Sequence, residues 1–220
     1  MCGRFKLHRS DKAVLAEKFK VREEDIFDPD DDELDNAPGS WRTVVGTQNA
    51  ERILMKMRWG FQMQIQGKSK LVFNTKSEGV LDSKLWKSRF ATARCIIPAS
   101  GFFEWKKVKG KTGPKFDITV PGQSLFGFAG LWGNWTNPKT NEVEKTFSIF
   151  TTLPNEQFSE YHNRQPVILD PSEYEEWLAP SERPPMHLLR ILPEERMVIT
   201  PVRPLAERPE QIPVQESLFG

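Results

Sequence analysis

Glu51-Arg52-Ile53-Leu54-Met55-Lys56-Met57-Arg58-Trp59 is the stretch from which the fold can be read. Ile53, Met55, Met57 and Trp59 alternate with Leu54, Lys56 and Arg58, a period of two that predicts a strand with one buried face. A half-buried strand belongs to an antiparallel sheet. Upstream, the turn-rich Asn36-Ala37-Pro38-Gly39-Ser40 leads into a second strand over 43–47. Downstream, residues 71–74, 94–98, 101–107, 116–120, 125–132, 146–152 and 197–200 also read as strands. A Gly- and Lys-rich hairpin is predicted over 109–114 and a polar loop over 133–145. Helices are expected where Ser10 can cap Val14, Leu15 and Phe19, where Leu81, Leu85, Trp86 and Phe90 share a face, and where Asp170, Pro171 and Glu173 precede Trp177 and Leu178. The expected fold is α+β: a mixed, mainly antiparallel curved sheet or open barrel with peripheral helices. One domain over 1–204 and a flexible tail over 205–220 complete the expected organisation.

The 220 residues are 38% hydrophobic and 28% charged, enough for one substantial core. No apolar run approaches the roughly 18 to 20 residues that span a bilayer, and no apolar h-region follows the first charges, which argues against membrane insertion and secretion. Cys2 and Cys95 are too few for a disulfide framework or a four-cysteine zinc site, so a cytoplasmic location is expected. Net charge is +1, but residues 23–35 hold 9 of the 30 acids and no Lys or Arg, leaving 31 basic residues against 21 acidic ones elsewhere. That excess fits a phosphate backbone and equally a scattered solvated surface.

Cys2 carries the chemistry. A residue this small behind Met1 allows the methionine to be removed, leaving an α-amine and a thiol on adjacent carbons, with reference pKa values near 8 and about 8.5. An aldehyde suits that pair: the amine forms an imine, and the thiol closes on it to give a five-membered thiazolidine. By itself, a Met-Cys start is equally a small residue opening a strand.

Cys2, Gly3, Arg4 and Phe5 (MCGRF), Asn36-Ala37-Pro38, Glu104 and Trp105 within SGFFEWKK, and His162, Arg164, Pro166 and Val167 within HNRQPVIL occur together and in that order. This combination resembles the SOS-response-associated peptidase (SRAP) family, whose members crosslink covalently to abasic sites in single-stranded DNA. The resemblance runs from Met1 to about Val202. It implies that Cys2 is the crosslinking nucleophile, that Asn74 in FNTKSE holds its α-amine, that Glu104 is the acid/base and that His162 stands beside it. Alternation suggests that a buried Phe103/Trp105 face would turn Glu104 toward a cleft. Arg4, Lys76, Thr151 and Arg164 match phosphate-contacting positions, and the turn from Asn36 through Pro38 to Trp41 would offer a stacking wedge to a base step. The chain departs from the family pattern at Lys76, where an arginine is usual, and at WGFQMQIQG, which lacks the proline and second tryptophan that usually follow the WG pair.

The function expected from the resemblance is capture of the abasic aldehyde in single-stranded DNA by a monomer needing no metal or nucleotide cofactor, with nucleoid association in a bacterial setting. Lyase and autopeptidase activities are counted with it. The alternative is a cysteine peptidase or amidase in which Cys2 attacks a carbonyl assisted by Glu104 and His162. At the chain end, Gln215, Leu218 and Phe219 in QESLF are similar to the short peptides by which bacterial repair proteins dock on the replication sliding clamp; an unstructured tail is the competing reading.

Overall fold

The computed structural model describes residues 3–7, 12–22, 36–49, 51–137 and 140–202. Cys2, Ser10, the acidic stretch 23–35 and the tail with Gln215, Leu218 and Phe219 lie outside them. In chain order the strands are β1 (Phe5–Lys6), β2 (Trp41–Gln48), β3 (Glu51–Trp59), β4 (Phe61–Ile65), β5 (Lys68–Val72), β6 (Asn74–Lys76) and β7 (Arg94–Ala99). They continue as β8 (Gly101–Val108), β9 (Lys111–Thr119), β10 (Phe126–Thr136), β11 (Val143–Thr152), β12 (Gln165–Pro166), β13 (Ile168–Leu169) and β14 (Val198–Pro201). The α-helices are α1 (Lys12–Phe19), α2 (Trp86–Thr92), α3 (Glu156–Ser159) and α4 (Tyr174–Leu178).

The order β11-β3-β2-β7-β10 returns to β11, so the curved sheet closes into a five-stranded barrel. Pairing around it is antiparallel except at β11, which runs parallel to β3 and to β6. Closure comes from the β10–β11 pair, and β14 pairs with β9 in a separate four-stranded sheet, β1-β8-β9-β14.

β3 alternates as read, yet both its faces find cover. Met55, Met57 and Trp59 join Val44, Ile97, Phe128, Phe147 and Ile149 in the barrel core. Leu54 joins Val45, Ile96 and Ala129 on the outer wall, beneath Leu15 and Phe19 of α1, Phe90 of α2 and Trp177 of α4. Covering the outside with helices is why neighbouring residues such as Val44 and Val45 are both apolar. At Gly130 a Cβ would stand 2.3 Å from Ile97 Cδ1 and 2.9 Å from the Ser148 carbonyl, so a glycine is required for the barrel interior to pack.

Several boundaries move. Val14 is exposed on α1, whose buried face is Leu15 and Phe19. α2 begins only at Trp86, where the Ser83 hydroxyl accepts the Trp86 N–H, and Leu81 lies exposed in the preceding turns. The hairpin expected over 109–114 is a two-residue turn, Lys109-Gly110, with φ of 50° and 77°, the combination that matches strand twist. β4 and β5 form a second hairpin through Gln66-Gly67, its first strand carried by the alternation of Phe61, Met63 and Ile65 with Gln62 and Gln64. The capping box at Asp170 and Glu173 forms as expected, and α4 buries Trp177 and Leu178. No helix among the described residues is long and apolar enough to cross a membrane.

Candidate active site

The predicted residues fall in two groups, one on the four-stranded sheet and one on β6, the end of β11 and the segment that leads to β12. On the first, Phe5 pairs with Phe102 in antiparallel register, and the Arg4 carbonyl accepts the Phe103 N–H at 2.9 Å. Phe5 also exchanges both main-chain hydrogen bonds with Asn36, at 2.7 and 3.2 Å, which draws the Asn36-Ala37-Pro38 turn against the start of the chain. Asn36 is fully buried, whereas Trp41, at the far end of the turn, is 41% exposed. Gly39 donates to the Trp59 carbonyl at 2.7 Å with φ of +92°, pinning the turn to the end of β3.

Glu104 sits on β8 opposite Phe116, whose ring meets Tyr161 edge-on at 4.7 Å. On β8, Phe102 and Glu104 share one buried face, and Phe103, also buried, lies with Trp105 on the other, where the Lys115 ammonium is 3.8 Å from the Phe103 ring centroid. Glu104 thus lies on the face opposite Phe103 and Trp105, as alternation puts it, and its own face is buried as well. Only 6% exposed, it has its carboxyl pushed up to about 7, because burial penalises the charged form.

On the second group, β6 lies parallel to β11, with Asn74 opposite Ile149 and Lys76 opposite Thr151. A Thr75–Ser148 hydroxyl contact of 2.7 Å holds this short strand in place. The loop to His162 is set by Asn155, which caps α3 through the Phe158 N–H at 2.7 Å and donates to the Leu192 carbonyl at 2.9 Å. His162 N–H then reaches the Phe158 carbonyl at 3.1 Å. Its Nδ1 lies 3.0 Å from the Arg164 N–H and 3.1 Å from the Arg164 carbonyl. Burial above all, with smaller contributions from neighbouring positive charges that include Lys107 and Arg164, holds its pKa down to about 4, so the ring is neutral near pH 7.

The groups share an aromatic floor. Trp59 meets Phe5 at 5.1 Å and Phe73 at 5.9 Å, and its indole N–H donates to the Phe73 carbonyl at 3.0 Å, one residue before Asn74. Phe102 meets Phe158 at 5.8 Å beneath the His162 loop. Lys76 is exposed, but Thr151 is 1% and Arg164 9% exposed. Both Arg164 Nη atoms are engaged by Glu78, a residue that sequence reasoning did not single out although it ends the FNTKSE motif.

Within this α+β barrel fold the site brings a buried acid of near-neutral pKa and a neutral histidine, two groups suited to proton transfer. The SRAP model, "SOS response associated peptidase", matches residues 1–209, and the chain belongs to that family. Among its relatives is "Abasic site processing protein YoqW" of Bacillus subtilis, 32% identical over 198 residues that cover 87% of this chain and 86% of the relative. "Abasic site processing protein YedK" of Escherichia coli is 30% identical over 180 residues, covering 81% and 79%. A crystal structure of a protein from Bacteroides thetaiotaomicron shares the fold, with a TM-score of 0.75 at 20% identity and 92% coverage of both chains.

Proposed function

We propose that the chain captures the ring-opened aldehyde of an abasic site in single-stranded DNA on Cys2, once Met1 is removed, and holds it as a thiazolidine. The α-amine adds to the aldehyde carbon, water leaves to form the imine, and the thiol adds to the imine carbon while its proton passes to nitrogen. One water is released overall. Glu104, near half-ionised at neutral pH, relays protons to and from the amine and the sugar oxygen. His162 donates from Nε2 to the sugar oxygen, and Asn74 holds the α-amine.

The observation that carries this reading is the Phe5–Phe102 pairing. Continuing that antiparallel register by two residues brings position 3 opposite Glu104, and Cys2 is joined to Gly3 by one Cα–Cα step of about 3.8 Å. The names of the relatives supply the substrate class. Arg4, Lys76 and Trp41 are assigned to the DNA strand, and the basic excess outside the acidic stretch supports that assignment.

The test incubates the full chain with abasic and intact oligonucleotides and separates the products on a denaturing gel. A surviving band is expected only with the abasic strand, and none with Cys2→Ala. A band of normal yield from Cys2→Ala, or active protein whose intact mass retains Met1, overturns the mechanism. Docking of Gln215, Leu218 and Phe219 on a sliding clamp belongs to the same proposal; equal retention of the intact chain and one ending at Val214 in a clamp pull-down removes it.

A further inference from the structure

We propose that Glu78 is a positioning residue for His162, acting through Arg164. A guanidinium that is nine-tenths buried needs a counter-charge close by, and Glu78 supplies it from the turn that follows β6. The pair is bidentate, with Nη1–Oε1 at 3.0 Å and Nη2–Oε2 at 2.7 Å, the geometry that gives an arginine a fixed direction. Arg164 Nη2 also donates to the Thr151 carbonyl, which accepts the Ser77 N–H at 2.9 Å as well. Three segments are tied at that carbonyl: the end of β6, the end of β11 and the approach to β12. Asn74 belongs to the first and His162 to the third, so the clamp sets where one stands relative to the other.

The link to the imidazole is the main chain of Arg164. Its N–H points at His162 Nδ1 over 3.0 Å, and an amide N–H always carries its proton. The ring nitrogen facing it must present a lone pair, which puts the proton of the neutral ring on Nε2. Protonating Nδ1 would set two N–H groups against each other, with the Arg164 carbonyl 3.1 Å away. Lys107 from β8 and the Arg164 guanidinium also oppose a charged ring. Glu78 itself is held below the usual carboxylate range by its hydrogen bond to Arg164, so the clamp is ionic at neutral pH. A phosphate reaching the same two Nη atoms would have to displace Glu78, which sets this role apart from direct DNA contact by Arg164.

Two measurements on the full chain test the clamp, and only the second rests on the function proposed above. The first follows the three histidines by long-range 1H–15N NMR against pH. The parent is expected to show an Nε2–H tautomer at His162; in Glu78→Ala the Nδ1–H form should appear beside it, and the midpoint should fall below that of the parent because the Arg164 charge is left uncompensated. The second measures adduct formation. Glu78→Ala should slow it about tenfold through misplacement of the reacting groups, with intact-strand affinity within about twofold. Glu78→Gln, which keeps the shape and loses the charge, should fall between parent and alanine in both measurements. It stands in for the alanine variant if that one does not fold.

A folded Glu78 variant with unchanged His162 midpoint and tautomer overturns the proposal. So does tighter binding of the intact strand with His162 unmoved, the outcome expected if Glu78 only blocks a phosphate seat. If His162 shifts while the parent forms no adduct, the clamp stands and the crosslinking function falls.

Discussion

Glu104 shares one buried face of β8 with Phe102, two residues before it, and faces Phe116 across the sheet. A carboxyl in that setting is costly to ionise, and the cost is the source of its usefulness. Held at about 7, it can both give and take a proton at neutral pH, which an exposed glutamate cannot do efficiently.

The same burial makes a stability prediction. The folded-state pKa, about 7, is above the unfolded value of 4.5, so between these pH values the native state binds more protons than the unfolded one. Stability therefore falls as pH rises through this window. Glu104→Gln should remove that dependence and be more stable than the parent at pH 8, by up to about 3 kcal/mol. Urea unfolding of both proteins at pH 5 and pH 8 measures it; parallel midpoints across the range would show that Glu104 ionises freely.

Activity should move the opposite way. Losing a general acid/base typically costs on the order of 10² to 10⁴ in rate, so Glu104→Gln should slow adduct formation by at least about 10². The parent rate should carry an inflection near pH 7 that the variant lacks. Single-turnover time courses from pH 5 to 9 decide this, and a variant that keeps both rate and inflection would reduce Glu104 to a structural role.

Period-two alternation made β3 legible, but not the barrel, because closure depends on β10 and β11 continuing to Thr136 and starting at Val143. Their polar ends, such as Asn134 and Lys145, read as loop. The β4–β5 hairpin is a different case: Phe61, Met63 and Ile65 do alternate with Gln62 and Gln64, but β5 opens on the exposed, polar Lys68-Ser69-Lys70 and so offers the first strand no recognisable partner. Of the candidate site residues, Cys2, Glu104 and His162 stand in short motifs and are visible as residue types. Glu78 is not, since its partner is 86 residues away and nothing in a sequence pairs two charges across that distance.

Arg94 provides a test away from the site. Buried on the first residue of β7, it donates to the carbonyls of Phe90, Trp177 and Ala179, joining α2 and α4 to the barrel wall. Burial pulls its pKa down to about 10, yet removing it would strand three carbonyls without donors. Arg94→Met should lower stability by ~3 kcal/mol, and Arg94→Lys should rescue little because an ammonium cannot span all three. Denaturant midpoints check this; an unshifted Arg94→Met would mean that water replaces the guanidinium without penalty.

The β8–β9 hairpin predicts how the strand is held. Residues 105–116 contain five lysines and no acid. Two are committed within the fold: Lys106 pairs with Glu160 at 2.9 Å, and Lys115 covers the Phe103 ring. Lys107, Lys109 and Lys111 are exposed, and the charge of Lys107 is felt at His162, so the hairpin extends from the site into solvent as a cationic arm. Each phosphate neutralised on a single strand contributes about 0.7 to the slope of log K against log salt. Replacing all three lysines by glutamine should therefore flatten that slope by about 2 for an intact oligonucleotide and weaken binding most at low salt. Fluorescence anisotropy titrations between low and moderate salt give the slope directly; identical slopes for the parent and the triple variant would remove the hairpin from the DNA-binding surface.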